Sequence, residues 1–181
     1  MNDTIIDFAC VTGDVTVIRV QGRGTFQNSI ELQRLTKTLR DENPLIRFII
    51  DLDKCDYLDS TFMGTLARIS LEQKKAGAGY LTVLNTQDHT QRLLRNLGLY
   101  YILDIRESAE KVPVREKDFQ KPEVQEPVPK FEQIVHMIKA HEQLIDIDNQ
   151  NQVRFQSVLK YLMESLDREK KSQTQNPSDT E

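Results

Sequence analysis

The sequence has few of the residues from which disulfide or metal frameworks are built. Its two cysteines, Cys10 and Cys55, are too few for a framework, and no CxxC or paired Cys/His spacing is present. This usage indicates reduced thiols, as in a cytoplasmic protein. The histidines are scattered, and His136 and His141 do not have the spacing of about three or four residues that places two ligands on one helical face. We therefore expect no metal and no cofactor.

Long apolar runs and an excess of basic residues are also missing. The longest apolar-rich stretch, Leu97–Leu103, is far shorter than the roughly 20 residues of a membrane-spanning helix. The N-terminus has no basic cluster ahead of an apolar run, as a secretory signal would. The 181 residues carry 24 Lys and Arg against 28 Asp and Glu, a net charge of −4. We therefore expect no binding to nucleic acid, no membrane insertion and no secretion. We expect a cytoplasmic location.

Proline is unevenly distributed along the chain. Four of the six prolines fall between Pro113 and Pro129, in a charged segment that is poor in large apolar residues. This composition predicts an extended, semi-rigid linker. The chain before this segment is long enough to bury a core without support from disulfides or metal ions. The last residues of the chain are polar enough to be disordered. The predicted parts are a domain at 1–106, a linker at 107–129, a helical hairpin or coiled-coil segment at 130–168 and a disordered tail at 169–181.

The first part alternates between strand and helix patterns. Two apolar segments around Thr12-Gly13-Asp14 predict a β-hairpin, and Asn28 with Glu31 resembles a capping box at a helix start. Asn43-Pro44 ends that helix. From the same patterns we predict strands at Ile5–Val11, Val15–Val20, Arg47–Leu52, Tyr80–Leu84 and Tyr100–Ile105, and helices that begin at Asn28, Asp59 and Thr86.

The order of these elements predicts the fold class. Helices between strands imply parallel crossovers, whereas the hairpin is antiparallel. Phe62, Leu66 and Ile69 share one face of the second helix and should be buried. The pattern therefore indicates an α/β domain with a mixed β-sheet of about five strands flanked by α-helices.

Three segments of this domain carry a family resemblance. Phe48–Leu52, Tyr57–Thr61 and Gly64, in this order, resemble the hallmark of STAS domains (sulfate transporter and anti-sigma factor antagonist). In that family a buried strand ending in Asp-Leu is followed by a loop and an Asp-Ser-Ser/Thr motif that opens a helix. The resemblance covers residues 5–106. It implies a STAS-like fold, followed here by a C-terminal helical hairpin.

The resemblance also implies a function. Such proteins are anti-sigma factor antagonists in partner-switching modules, where they bind an anti-sigma factor that is also a serine/threonine kinase. The kinase phosphorylates the serine of the motif, which is Ser60 here, and a serine phosphatase removes the phosphate. Phe62 stands where the family usually has Gly, and Thr25 where it often has an acid. The residues predicted to bind the partner are Asp59, Ser60, Thr61, Met63, Thr25 and Gln27.

The residues around Ser60 also have plainer interpretations. A serine at a helix start caps the first turn, and that role is compatible with phosphorylation because helix N-termini favour anions. Asp51, Asp53, Asp56 and Asp59 form an acidic cluster that we interpret as a solvated loop in preference to a magnesium or catalytic site. No nucleophile elbow, P-loop or dinucleotide motif is present. We therefore predict no catalytic residues and no enzymatic activity.

The C-terminal part has two apolar stripes at helical spacing. They predict a helical hairpin in which Asp148 caps the second helix, although a 3-4 spacing from Phe131 to Leu166 also fits one long helix. A two-helix hairpin cannot bury both stripes alone, so it should dock on its own domain, on a second copy or on a partner. We favour a homodimer formed through these helices. Two alternative functions are a non-enzymatic STAS subunit of a lipid or solute ABC transporter and an unphosphorylated signalling scaffold.

Overall fold

The computed structural model describes residues 4–106, 114–123 and 126–175, with the backbone alone for 173–175. Six strands form a single sheet around which the helices pack. The predicted β-hairpin is present, and the buried strand predicted before Leu52 is present too. The strands are β1 Ile5–Thr12, β2 Val15–Gly24, β3 Arg47–Asp51, β4 Cys55–Leu58, β5 Leu81–Leu84 and β6 Leu103–Arg106.

The sheet is mixed, as predicted. Its strand order is β1-β2-β3-β5-β6, and β4 pairs with the end of β2 beyond β3. β1 and β2 are antiparallel because a tight turn joins them, whereas β3, β5 and β6 are added in parallel through helical crossovers. The α/β class is therefore confirmed.

Strand β4 lies where the sequence predicts a loop. Cys55 and Leu58 are buried, and Asp56 between them is exposed. Residues Gly22 to Gly24 of β2 pair with it. Four residues are too few for a period of two to be recognised, and the nearby acids hide the pattern. The strand matters for the site because it leads directly into the Asp59-Ser60-Thr61 turn.

Five helices complete the fold. The two-residue connection between the last two shows a hairpin, so the alternative of one long helix is wrong. Within the described ranges, no helix has an apolar stretch of membrane-spanning length. The helices are α1 Phe26–Glu42, α2 Ser60–Lys75, α3 Asp88–Asn96, α4 Lys130–Ile147 and α5 Gln150–Gln175.

Several element boundaries differ from the prediction, among them the end of β2, which lies at Gly24 instead of Val20. The first helix begins at Phe26, and the Thr25 backbone N–H donates to Asn28 Oδ1 (2.6 Å), so Asn28 closes the cap from inside the helix instead of starting it. The third helix begins at Asp88 rather than Thr86. The last strand begins at Leu103, because the chain makes a 3₁₀ turn after Gly98, whose positive φ of 75° suits only glycine well.

The domain core lies between the sheet and helices α1 and α2. Phe62, Leu66 and Ile69 are fully buried, which confirms the predicted apolar face of α2. They pack with strand residues such as Ile18 and Ile50 in one cluster. Burial of this kind contributes about 25 cal/mol per Å² of apolar surface and fixes the direction of α2.

The segment predicted as a linker contacts the sheet where it is described. Phe8 and Gln120 exchange two backbone hydrogen bonds (2.9 and 2.8 Å). Arg19 of β2 pairs with Glu116 (2.6 Å) and stacks on the Phe119 ring (3.6 Å to its centroid). Residues 114–123 therefore run along the β1 edge of the sheet. Residues 107–113 and 124–125 of the predicted linker lie outside the described residues.

The C-terminal helices form the predicted hairpin. Asp148 Oδ1 accepts a hydrogen bond from the Gln150 N–H (2.9 Å), in agreement with its expected capping role. Helix α4 packs on α2 and α1, and α5 packs on α4. The last helix continues to Gln175, so residues 169–175 of the predicted disordered tail are helical. Residues 176–181 lie outside the described residues.

Candidate functional site

The Asp59-Ser60-Thr61 turn is held at the point where β4 meets α2. The Asp59 N–H donates to the Gly24 carbonyl (2.9 Å), which continues the β2–β4 pairing by one residue. Its carboxylate accepts from two amides, Phe62 N–H at the start of α2 (2.8 Å) and Phe26 N–H at the start of α1 (2.8 Å). Asp59 therefore joins the N-termini of two helices.

The prediction that Ser60 caps α2 is wrong. Asp59 occupies the capping position with an extended backbone (φ −85°, ψ 170°), and Ser60 is the first helical residue. A carboxylate that immediately precedes the serine accepts the amide hydrogen bond more strongly than a hydroxyl does. The Ser60 hydroxyl is consequently free to bond elsewhere.

The partner of the Ser60 hydroxyl is His141 on α4. Ser60 Oγ lies 2.9 Å from His141 Nε2, and His141 Nδ1 lies 2.7 Å from the Met137 carbonyl oxygen. Because a carbonyl only accepts, the proton of the neutral ring is on Nδ1, and Ser60 O–H donates to Nε2. Burial of the ring lowers the pKa of His141 and keeps it neutral.

A second histidine of α4 makes a similar contact one turn away. His136 Nε2 lies 2.8 Å from Ser29 Oγ on α1 and 3.2 Å from Thr65 Oγ1 on α2. Both hydroxyls donate to backbone carbonyls of their own helices, so the His136 N–H donates to them. Burial lowers the pKa of His136 to about 4, with Arg68 and Lys139 adding a smaller effect of the same sign.

The predicted partner-binding residues do not form one exposed patch. Gln27 is exposed, and Thr25, Asp59 and Ser60 are half-buried. Thr61 and Met63 are buried, with 4% and 5% of their surface exposed. Thr61 and Met63 lie in the first turn of α2. The accessible side chains are Gln27 and, in part, Thr25 at the start of α1, and in part Asp59 and Ser60 at the start of α2.

Sequence reasoning treated His136 and His141 only as metal-ligand candidates and therefore missed them. For His141 the available signal was its position on the apolar stripe of α4, since it falls in the same 3-4 series as Ile134 and Ile138. A histidine in such a stripe faces the surface that the helix covers. His136 lies outside that series and had no such signal, but both rings contact hydroxyls of the domain, and α4 is therefore part of the site.

Two of the four acids in the predicted solvated cluster, Asp51 and Asp59, instead accept hydrogen bonds within the protein. Asp51 Oδ1 accepts from Asn85 Nδ2 (2.8 Å) and from the Asp53 N–H (3.1 Å), while Asp59 joins two helix starts. Only Asp53 and Asp56 of the four are exposed. Across the described ranges, no three His, Cys, Asp or Glu side chains are grouped as metal ligands would be.

Three solved structures are similar to part of the chain. The anti-sigma factor antagonist SpoIIAA in its unphosphorylated form has 17% identity and a TM-score of 0.49, covering 58% of this chain and 90% of that one. The Bacillus cell fate determinant SpoIIAA in the phosphorylated form has 19% identity and a TM-score of 0.49, covering 58% and 92%. A Thermotoga maritima protein, assigned as a candidate anti-sigma factor antagonist, has 14% identity and a TM-score of 0.50, covering 56% and 86%. No curated protein matches the chain.

At these identities the solved structures bear on the fold alone, and the family is established from the sequence profile. The profile of the STAS domain matches residues 9–112, which is more than half of the chain. The matched range runs from β1 past β6 and includes the Asp59-Ser60-Thr61 turn, while α4 and α5 lie beyond it. The chain therefore belongs to the STAS domain family.

Proposed function

We propose that the protein is a non-enzymatic regulator of the anti-sigma factor antagonist type that acts in the cytoplasm. Its partner is an anti-sigma factor that is also a serine/threonine kinase, and a serine phosphatase reverses the kinase reaction. The observation that carries the proposal is the position of Ser60, the first residue of α2 within a STAS domain. Ser60 is the phosphate acceptor. The accessible part of the partner-binding surface comprises Gln27, Thr25, Asp59 and Ser60, whereas Thr61 and Met63, which were also predicted to bind, are buried.

The geometry of the turn suits a phosphate. The N-terminus of α2 stabilises negative charge through the helix dipole, and the fold around Asp59 is fixed by hydrogen bonds that do not involve Ser60. A phosphate adds about −1.5 to −2 charges beside Asp59. The main consequence falls on binding, because like charges across an interface cost several kcal/mol. A reduction in affinity of about a hundredfold is then expected.

The first test is the intact mass of the protein purified from its own host, with and without phosphatase treatment. We expect one phosphate, mapped to the peptide that contains Ser60 and absent from Ser60→Ala. Thr61→Val is the matched control, since Thr61 is the neighbouring hydroxyl but is buried, and this variant should keep the phosphate. A chain that is unmodified under every growth condition contradicts the proposal.

The second test is binding. Ser60→Asp places a negative charge at the same position, and Ser60→Ala removes the hydroxyl without adding charge. Affinity for the anti-sigma factor kinase that copurifies with the protein should fall for Ser60→Asp by tenfold or more, about 1.4 kcal/mol, relative to Ser60→Ala. Equal affinities would contradict a charge switch at Ser60.

One observation favours an unphosphorylated signalling scaffold as a second function. The Ser60 hydroxyl already donates to His141, so the side chain has a structural role without a phosphate. The absence of phosphate in the mass measurement, combined with a destabilising effect of Ser60→Ala, would support the scaffold. The transporter-subunit alternative has less support, because that role generally uses the bare domain and here α4 and α5 follow it.

Self-association through the C-terminal helices stays a prediction. Helix α4 is occupied by the domain itself, so the exposed side chains of α5 are the ones available to a second copy. Val158 and Tyr161, three residues apart on α5, are 39% and 63% exposed. If the protein is a dimer through α5, Tyr161→Glu should give a monomer in sedimentation equilibrium, whereas Gln156→Glu, at an exposed position on another face of the same helix, should not. An unchanged mass for Tyr161→Glu contradicts this interface.

A further inference from the structure

Helix α4 lies directly against the first half of α2, where Ser60 is located. Gly64 and Ala140 approach so closely that a Cβ atom added at Gly64 would collide with the Ala140 carbonyl oxygen. Only glycine allows this contact. Close packing against α2, as well as the histidine contacts, therefore holds α4 in place.

The two histidines of α4 make polar contacts with α2, which carries the proposed phosphate site, and with α1. His141 accepts from the Ser60 hydroxyl, and His136 donates to Ser29 and Thr65. The Phe155 ring of α5 packs edge-on against the His141 ring, with 5.0 Å between centroids. A kinase needs the Ser60 oxygen unpaired and fully accessible, whereas in this arrangement the oxygen is hydrogen-bonded to His141 and the residue is half-buried.

The two helices of the hairpin also pack on each other through a cluster of their own. Ile134 and Ile138 of α4 form an apolar cluster with Leu162 of α5 that is separate from the domain core. Leu144 of α4 is fully buried in that core, and Ile147 and Phe155 of the hairpin pack against it. Because the cluster within the hairpin does not depend on the domain, α4 and α5 can stay together when they leave α2.

We propose that the α4–α5 hairpin is an intramolecular cover over the Ser60 surface, and that it must leave α2 before Ser60 is phosphorylated or the partner binds. This inference rests on the proposed function of Ser60. The observed rate of any reaction at position 60 is then the rate in the open state multiplied by the fraction of molecules that are open. A factor that displaces the hairpin raises that rate without changing Ser60 itself.

The test measures access to position 60 without a kinase. Ser60→Cys is introduced together with Cys10→Ser, which removes the exposed native thiol, while Cys55 is buried. The probe is N-ethylmaleimide, and the readout is the labelling rate of the thiol at position 60. Adding Gly64→Ala overpacks the contact with α4 and should raise the rate by about tenfold or more. Gly13→Ala is the matched control, since a Cβ there meets no atom within 4 Å, and it should leave the rate unchanged.

Two results would overturn the cover. One is labelling in the parent as fast as in the unfolded chain, and the other is a rate that Gly64→Ala does not change. Hydrogen exchange in β3 checks that the domain stays folded. If Gly64→Ala does not fold, His136→Ala removes a tie to α4 without overpacking and should raise the rate in the same direction.

The outcome is separable from that of the proposed function. Faster labelling in Gly64→Ala supports the cover even in a chain that carries no phosphate in its host, a result that would contradict phosphorylation alone. The converse result is a protein that is phosphorylated on Ser60 in its host while Gly64→Ala leaves the labelling rate unchanged. That result would support the proposed function and contradict the cover. With both correct, the phosphorylated fraction in the host is higher for Gly64→Ala than for Gly13→Ala.

Discussion

The Ser60 hydroxyl donates a hydrogen bond to His141 Nε2 across 2.9 Å, and this bond links residues 81 positions apart in the chain. The histidine is oriented by its own helix, because its Nδ1–H donates to the Met137 carbonyl. The serine is oriented by Asp59, which fixes the start of α2. The contact therefore joins two independently positioned groups, one in the STAS domain and one in the C-terminal hairpin.

This bond should appear as an energetic coupling in a double-mutant cycle. Ser60→Ala and His141→Phe each remove it, and phenylalanine retains an aromatic ring beside Phe155. We expect a coupling of about 1 kcal/mol in the free energy of unfolding by urea, the usual net contribution of a hydrogen bond. The control cycle pairs Ser60→Ala with His89→Phe on the exposed surface, where the coupling should vanish. Additive effects for Ser60 and His141 would contradict the bond.

Asp59 should contribute more to stability than Ser60, because its carboxylate accepts from the starts of both α1 and α2. Asp59→Ala leaves both amides without this acceptor, and we expect a loss of about 2–3 kcal/mol in the free energy of unfolding. Asp59→Asn retains one acceptor oxygen and should lose about half of that.

Gln87 gives the matched control for Asp59. It precedes α3 as Asp59 precedes α2, but its exposed side chain makes no capping hydrogen bond. Gln87→Ala should change the free energy of unfolding by less than about 0.5 kcal/mol. Comparable losses for Asp59→Ala and Gln87→Ala would show that the double cap does not stabilise the domain.

The fold was largely predictable because its longer elements have clear periods. The buried face of α2 and the continuous apolar run of β3 each identify their element. Strand β4 was not predictable, since its four residues form a strand only by pairing with the end of β2. The predicted start of α1, Asn28, lies two residues after the observed start at Phe26, because Asn28 caps from within the helix. For β4 the deciding partner is distant along the chain, and for α1 the cap is closed by a residue inside the helix; neither is visible in a local pattern.

The site was predictable only in its first half. The Asp59-Ser60-Thr61 motif identifies the start of α2, but whether aspartate or serine caps the helix depends on backbone conformation. The histidines of α4 lie more than 70 residues further along the chain, and nothing local indicates which surface α4 covers. The Gly64–Ala140 contact is of the same kind, a fit between helices that only the assembled structure shows.

Asn151 should be the main polar tie between the hairpin turn and the domain. It is fully buried, and its Nδ2 donates to the Leu97 and Leu144 carbonyls (3.0 and 2.8 Å). Asn151→Ala leaves two buried carbonyls without this donor and should lower the free energy of unfolding by about 2–3 kcal/mol. Gln152→Ala, one residue further and exposed, should be nearly neutral. Similar urea midpoints for the two variants would contradict this role.

The contact between residues 114–123 and the sheet should depend on Arg19. Its guanidinium pairs with Glu116 and stacks on Phe119, beside the Phe8–Gln120 hydrogen bonds. Phe119→Ala removes the stacking, so we expect faster amide exchange at Gln120, by about three- to tenfold. Arg115→Ala, which breaks only the exposed pair with Asp118, is the control and should leave that exchange unchanged. Equal exchange in both variants would place the attachment elsewhere.

His136 should make the fold less stable in mild acid. Burial holds its pKa at about 4, whereas an unfolded histidine titrates near 6.5. The unfolded chain therefore binds an extra proton below about pH 6.5, and the free energy of unfolding falls by at most about 1.4 kcal/mol per pH unit down to about pH 4. Arg68 and Lys139 face the ring and act in the same direction. His136→Gln keeps an N–H donor without titrating, so its loss of stability between about pH 7 and about pH 5 should be smaller than that of the parent. His89→Gln is the control for the loss of an exposed histidine. If the parent and His136→Gln lost stability equally between these pH values, the buried ring would not be the source of the pH dependence.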